Sequence, residues 1–572
     1  MSSHQVRVSN LRVVTSDAAD RAAVLVKDVS FTIPRGEVLA LIGESGSGKT
    51  TVALALLGHT RAGCRIAGGS IEVAGTDVLA LGSRQILDHR RRRVAYIAQS
   101  AAAAFNPARR IMDQVTETTV VGRLMTRNAA REKAVELFRS LALPDPHRIG
   151  ERYPHQVSGG QLQRLLAAMA LMSDPELVIF DEPTTALDVT TQVEVLREFK
   201  RLIQERGTTA LYVSHDLAVV AQLADRVVVL NSGEVRESGP TMRVLGTPTD
   251  SYTRSLVAAA TGREAVCALR REVAIAASVG VSGRGDLSEP LEPLLSVDGL
   301  TAGYGKVDAE GFPSAIALRD VSLVVKRGGA LGVIGESGSG KSTLARALAG
   351  IVAPAFGTLR LEGQLLEARM ERRPRKQLRR IQIVFQHADA ALNPAHTVAH
   401  ILSRPLKLYF GMHGTERNER IARLLDLVHL DRSMAARRPP ELSGGQKQRV
   451  NLARALAAEP ALILCDEVTS ALDAAVGAAI LELMAELRRE LGLSYVFISH
   501  DVSAIRAICD EVTVLYAGQV VDSGPLRRLD DPAAHPYTRL LVSCVPEMRS
   551  GWLEDAPATL GQLGTARLDA TR

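Results

Sequence analysis

Two octapeptides hold the residues of this sequence best suited to chemistry: Gly43-Glu44-Ser45-Gly46-Ser47-Gly48-Lys49-Thr50 and Gly335-Glu336-Ser337-Gly338-Ser339-Gly340-Lys341-Ser342. Each fits G-x-x-x-x-G-K-[ST], a P-loop, in which glycines let the backbone wrap round a phosphate chain. Successive N–H groups and the following helix N-terminus then face anionic oxygens. At such a loop Lys49 and Lys341 would reach the β- and γ-phosphates, while the hydroxyls of Thr50 and Ser342 would ligate Mg²⁺.

A second set of residues recurs downstream at fixed spacing. Ser158-Gly159-Gly160-Gln161 and Ser443-Gly444-Gly445-Gln446 each open a helical pattern, and a Ser with two glycines at a helix start can meet an anion. In both copies an apolar run ends 23 residues later in an acidic pair, Asp181-Glu182 and Asp466-Glu467. Carboxylates at the C-terminal end of a buried strand lie where open α/β sheets bind ligands. The Asp suits Mg²⁺, and the Glu suits a water attacking a γ-phosphate. His215 and His500 follow each Asp by 34 residues, at the ends of further apolar runs, and read as γ-phosphate sensors. Gln99 and Gln386 offer a neutral oxygen to the metal ion or the water.

These residues need strands to carry them, and the pattern supplies the strands twice. Val38–Ile42 and Leu331–Ile334 lead into the P-loops, and Ala/Leu-rich helical runs leave them. The lysines are offset by 292 residues, whereas Ser158/Ser443, Asp181/Asp466, His215/His500 and Tyr252/Tyr537 are all offset by 285. The chain therefore reads as a tandem repeat of one α/β domain. Its 572 residues suit two or three domains, and 46% hydrophobic with 23% charged residues is a globular composition. No run approaches the roughly 18 apolar residues of a membrane-spanning helix. The first residues show no signal pattern, so a cytosolic chain, free to dock on a membrane protein, is expected. Five scattered cysteines predict neither a zinc site nor a disulfide framework. A net charge of +6 does not argue for nucleic acid, and the arginine runs at 90–93 and 372–380 read as solvated faces. Residues 278–286 read as a Gly/Ser-rich linker, and the stretch from Gly551 as a loose tail.

The ordered set of P-loop, Gln, Ser-Gly-Gly-Gln, Asp-Glu, Ala-Leu-Asp (Ala186-Leu187-Asp188; Ala471-Leu472-Asp473) and His resembles the ATP-binding cassette ATPases in both halves. The resemblance implies an α/β fold of tandem P-loop cassettes. Each would have a RecA-like core, an antiparallel β subdomain and an α-helical signature subdomain. It implies a first ATP-binding domain over 6–261, a linker over 262–293, a second domain over 294–550 and a tail over 551–572. In that family ATP lies between one cassette's P-loop and the other's signature, so Lys49 is expected to face Ser443, and Lys341 to face Ser158. Thr51 and Thr343 join the expected ATP contacts, as does Tyr304, an aromatic upstream of the second P-loop that could stack on adenine. Thr15 is the closest match to Tyr304 in the first half, which has no aromatic residue before Phe31.

Finer features resemble the peptide/nickel importer branch. They are Asn106-Pro107 and Asn393-Pro394 after the Gln, and His535-Pro536-Tyr537-Thr538-Arg539, echoed by Ser251-Tyr252-Thr253-Arg254. The resemblance implies an ATP-hydrolysing, energy-coupling subunit of a bacterial importer for peptides, glutathione or a nickel chelate. It would sit at the cytoplasmic face of the inner membrane, on two permease subunits served by an extracytoplasmic solute-binding protein. Some relatives carry an iron–sulfur cluster near the C-terminal segment. Only Cys267 or Cys544 lies nearby here, so no cluster is expected. Val468 stands where Pro usually follows the second Asp-Glu, a change expected to be tolerated. Soluble twin-cassette proteins that act on ribosomes or DNA fit less well, because no long charged linker, zinc module or inserted coiled coil is present. Fused sugar-importer ATPases usually have a degenerate second P-loop, and this one is intact.

Overall fold

The computed structural model describes residues 4–15, 23–184, 187–260, 292–470 and 472–556. They form two compact units, one of the described residues up to Ala260 with 546–556, the other of those from Glu292 to Val545. The linker stretch 278–286, Cys267, Ala186 and Ala471 lie outside the described residues.

The first unit contains two sheets. In one, β1 (His4–Thr15) lies between β2 (Val24–Pro34) and β4 (Cys64–Val73), and β5 (Thr76–Asp77) closes the order β2-β1-β4-β5. These antiparallel strands bury one face. In β1, Val6, Val8, Leu11 and Val13 are at most 1% exposed, which is the alternation expected of a half-covered sheet. The other sheet runs β10-β9-β3-β8-β7-β6, formed by β3 (Val38–Ile42), β6 (Val94–Ile97), β7 (Leu177–Asp181), β8 (Thr209–Val213), β9 (Arg226–Asn231) and β10 (Glu234–Pro240). All neighbours are parallel except β10 on β9. Every residue of β3, β7 and β8 is buried, so these strands are apolar along their length and do not alternate. The helices Ile111–Val121, Arg127–Ser140 and Gly159–Leu171 pack on one another as a helical lobe.

The second unit repeats this plan. Its antiparallel sheet is β12-β11-β14-β15, from β11 (Pro293–Val307), β12 (Pro313–Lys326), β14 (Phe356–Leu361) and β15 (Gln364–Leu365). Its mainly parallel sheet is β16-β17-β18-β13-β19-β20, from β13 (Ala330–Ile334), β16 (Ile381–Val384), β17 (Leu462–Asp466), β18 (Ser494–Ile498), β19 (Glu511–Tyr516) and β20 (Gln519–Pro525). The 10-residue β4 has a 6-residue counterpart in β14, which explains most of the shift in repeat offset between the P-loop and the signature.

The order of the parallel strands brings the chemistry together. β3 lies beside β8, and β8 beside β7, all parallel, with Leu41 opposite Val213 and Val213 opposite Asp181. Their C-terminal ends, which lead to the P-loop, His215 and Glu182, therefore emerge side by side. In an open α/β sheet this is the ligand edge.

The start of the predicted tail, 551–556, departs from a loose segment. Residues 546–556 group with the first unit, and Trp552–Asp555 is a helical turn with Trp552 and Leu553 buried. Gln222, on the helix Leu217–Leu223, donates from Nε2 to the carbonyls of Glu547 and Arg549 at 2.8 Å each, and its Oε1 accepts from the N–H of Leu553 at 3.1 Å. Residues 557–572 lie outside the described part. Among the described residues no helix is long and apolar enough to cross a membrane.

Candidate nucleotide sites

Each P-loop is pre-folded round its own lysine. Lys49 Nζ donates to the carbonyls of Gly43 (2.7 Å) and Glu44 (2.8 Å), and Lys341 Nζ to those of Gly335 and Glu336 (2.8 Å each). Both lysines are 6% exposed. Gly43 (φ 143°) and Gly335 (φ 155°) begin the loops where a Cβ would stand 2.1 Å and 2.2 Å from the carbonyl oxygens of Leu230 and Leu515. Only glycine fits there.

Behind each loop, the hydroxyl next to the lysine meets the strand-end Asp. Thr50 Oγ1 donates to Asp181 Oδ1 at 3.1 Å, and Ser342 Oγ to Asp466 Oδ1 at 3.0 Å. Burial pushes both aspartates above the usual carboxylate range. A buried carboxylate beside a hydroxyl is an oxygen donor set that suits Mg²⁺. The strand-end Asp of the first site has a further partner: the Tyr96 hydroxyl donates to Asp181 Oδ2 at 2.6 Å. The matching strand position in the second unit is Ile383, which has no such donor.

The glutamates are clamped from both sides. His215 Nδ1 stands 3.0 Å from Glu182 Oε1, and Gln99 Nε2 donates to Glu182 Oε2 at 3.0 Å. In the second unit His500 Nδ1 is 3.4 Å from Glu467 Oε1, and Gln386 Nε2 donates to Glu467 Oε2 at 2.8 Å and to Ser470 Oγ at 3.1 Å. Burial acts to lower the pKa of both histidines, but the hydrogen bond and charge of the glutamate outweigh it and raise them. Burial likewise works to raise Glu467, and His500 holds it below its ordinary value. In the His500–Glu467 pair each partner thus favours the charged form of the other. Sequence reasoning directs the Gln oxygen toward metal or water, whereas here its amide N–H faces the glutamate. Ser470 carried no sequence signal.

The signature serines cap their helices. Ser158 Oγ accepts from the Gln161 N–H (3.3 Å) and Gln161 Oε1 accepts from the Ser158 N–H (3.1 Å), a reciprocal capping box repeated by Ser443 and Gln446 (3.3 and 3.0 Å). Gly160 and Gly445 lie against the next long helix, where a Cβ would meet Thr191 Cγ2 at 2.1 Å and Val476 Cγ1 at 2.6 Å.

Tyr304 stands at the rim of the second loop, 43% exposed, its hydroxyl 3.3 Å from Thr343 Oγ1 and accepting from Arg346 at 3.4 Å. Strand register identifies its counterpart. Val14 pairs with Val24 as Gly303 pairs with Ile316, so Thr15 matches Tyr304. The Thr15 hydroxyl accepts from the N–H of Ala23 at 2.9 Å and offers no ring.

Known proteins match this chain in sequence. The ABC transporter family profile matches residues 26–185 and 318–470, and the profile of the oligopeptide/dipeptide transporter C-terminal region matches 521–567. A glutathione import ATP-binding protein of Salmonella choleraesuis is 36% identical over 91% of this chain and 86% of its own length. Its Escherichia coli O157:H7 counterpart is 36% identical over 94% of this chain and 89% of its own. A solved ATP-binding cassette, MJ0796 bound to ADP and Pi, is 26% identical over 41% of this chain and 98% of its own, with a TM-score of 0.37. Two matched cassettes, relatives aligned nearly end to end and a peptide-type C-terminal region lead to one conclusion: the chain belongs to the ABC transporter family, as the ATP-hydrolysing, energy-coupling subunit of an importer with both cassettes fused in one polypeptide.

Proposed function

We propose that the chain powers uptake of glutathione or short peptides of similar chemistry, hydrolysing ATP at both P-loops. Two permeases and an extracytoplasmic binding protein would select the solute, with this chain bound beneath the permeases at the cytoplasmic face of the inner membrane. The relatives' names support the solute class, and the C-terminal match supports the peptide-type branch. The observation that carries hydrolysis is the glutamate held between Gln and His in both units.

In this reading the P-loop N–H groups and Lys49 or Lys341 bind the β- and γ-phosphates. Tyr304 covers adenine in the second site only. Thr50 with Asp181, and Ser342 with Asp466, would hold Mg²⁺, which neutralises charge on the phosphate oxygens. Gln99 and Gln386 would touch that ion or the attacking water once nucleotide is bound. Glu182 and Glu467 orient the water and accept its proton, while His215 and His500 fix the carboxylates and face the γ-phosphate. The segments 99–107 and 386–394 are proposed to face the permeases.

Reconstitution with the cognate permeases and binding protein in lipid vesicles tests this. ATP turnover and uptake of labelled glutathione should rise together. Glu182→Gln or Glu467→Gln should each at least halve turnover while ATP binding persists, and the double variant should fall by about 10²–10⁴. A single variant with unchanged turnover would refute two working sites. Co-purification with ribosomes in preference to membranes would refute the importer reading.

A further inference from the structure

Glu44 is held through both of its backbone polar groups. Its carbonyl accepts from Lys49 Nζ at 2.8 Å and from the N–H of Ser47 at 3.2 Å, both inside the P-loop. Its N–H points out of the loop and donates to the hydroxyl of Tyr252 at 3.1 Å, 208 residues along the chain. The second unit repeats the arrangement: Glu336 O accepts from Lys341 Nζ (2.8 Å) and the Ser339 N–H (3.1 Å), and the Glu336 N–H donates to Tyr537 Oη at 2.9 Å.

Both tyrosines stand on a short helix after the last sheet strand, 251–260 in one unit and Pro536–Ser543 in the other. A buried carboxylate ties each helix start to that strand. Glu237 on β10 accepts from the N–H and hydroxyl of Thr249 and from the N–H of Asp250. Asp522 on β20 accepts from the N–H of His535 (2.9 Å), the Thr538 hydroxyl (3.1 Å) and Arg528 Nε (2.8 Å). The tyrosine is therefore a stiff link between the far edge of the sheet and the mouth of the phosphate loop.

A tyrosine kept only for its ring would serve as well as phenylalanine. The two surroundings argue against that. The Tyr537 ring packs on Tyr516 at a centroid distance of 4.4 Å, whereas the matching residue in the first unit is Asn231. The N-caps also differ, His535 in one helix and Asp250 in the other. Ring partners and caps have diverged between the repeats, yet each hydroxyl lands on the same backbone N–H.

We propose that Tyr252 and Tyr537 are positioning residues for ATP. Each satisfies a P-loop N–H that faces out of the loop and so fixes the loop in its receiving shape before phosphate arrives. Preorganisation of this kind lowers the ordering cost of binding. The proposal rests on ATP occupying the two loops.

The full chain carrying Tyr252→Phe, Tyr537→Phe or both tests it, through binding of a fluorescent ATP analogue, melting temperature without nucleotide, and amide hydrogen exchange. One neutral hydrogen bond per site predicts a Kd raised about 3- to 10-fold at the altered site. Turnover at saturating ATP should stay within about twofold, with faster exchange at Glu44 and Glu336. Tyr516→Leu loosens the ring packing and leaves the Tyr537 hydroxyl in place, so it should lower melting temperature with little effect on affinity. Unchanged affinity in the double Phe variant, or an affinity loss in Tyr516→Leu as large as in Tyr537→Phe, would overturn the proposal. A wild-type chain that binds no ATP analogue would overturn the nucleotide reading, and the proposal with it.

Discussion

Glu182 and Glu467 adopt φ values of 51° and 53°, the left-handed region that few non-glycine residues occupy. Their N–H groups donate to the carbonyls of Val213 (2.9 Å) and Ile498 (3.0 Å), so the neighbouring strand holds the strained turn in place. Such strain costs on the order of 1–3 kcal/mol and gathers at functional sites. At the same scale the two adenine positions differ. Base–aromatic stacking is worth about 1–3 kcal/mol, so the Tyr304 site should bind ATP roughly 5- to 150-fold more tightly than the Thr15 site. A titration of the full chain should resolve two affinities. Tyr304→Ala should weaken the tighter one, and Thr15→Tyr should strengthen the weaker. One shared affinity in the wild type would show that stacking does not separate the sites. The residues of the motifs were legible because type and spacing alone betray a P-loop or an Asp-Glu strand end. Which atom of the Gln99 amide faces Glu182 was not, since spacing fixes no side-chain rotation. Nor was the Tyr96–Asp181 bond, which depends on two strands lying in register.

Elements were readable where burial is complete. β3, β7, β8 and their counterparts are nearly continuous apolar runs because both faces are covered, one by the antiparallel sheet and the P-loop helix, the other by helices, and a P-loop at the end of such a run leaves little choice of topology. What the sequence could not show is how the last strand and helix of each unit are tied together. Asp522 and Glu237 are buried, which works to raise their pKa values, but the hydrogen bonds they accept hold both below the ordinary range. A carboxylate depressed in the folded state contributes stability that is present above its unfolded pKa, near 4, and is lost as pH falls through the folded value. The melting temperature of the full chain should therefore fall as pH drops from about 5 to 3. Asp522→Asn should lower stability by about 1.5–3 kcal/mol at neutral pH and flatten that acid dependence for the second unit. An unaltered acid profile in Asp522→Asn would show that this carboxylate does not contribute in that window.

At the scale of the molecule the duplication is plain from sequence, but the chain does not end where its second repeat ends. Gln222, 4% exposed, gives its whole amide to backbone groups of residues 547–553, and Lys200 pairs with Glu554 at 2.6 Å. Met548 packs against the cluster of Val220, Leu245 and Leu256. Truncation after Val545 should cost the first unit about 1.5–4 kcal/mol for three hydrogen bonds, and should speed its proteolysis in preference to the second unit's. Equal proteolysis of both units would contradict this. The same segment sets a schedule for synthesis. The first cassette leaves the ribosome up to Ala260 but lacks this cover until residues from Pro546 onward emerge. At 5–20 residues per second that delay is roughly 15–60 s. For that time the newborn cassette presents an uncovered apolar patch and an unanswered amide, which places the risk of aggregation, and the need for a chaperone, on the half that is made first.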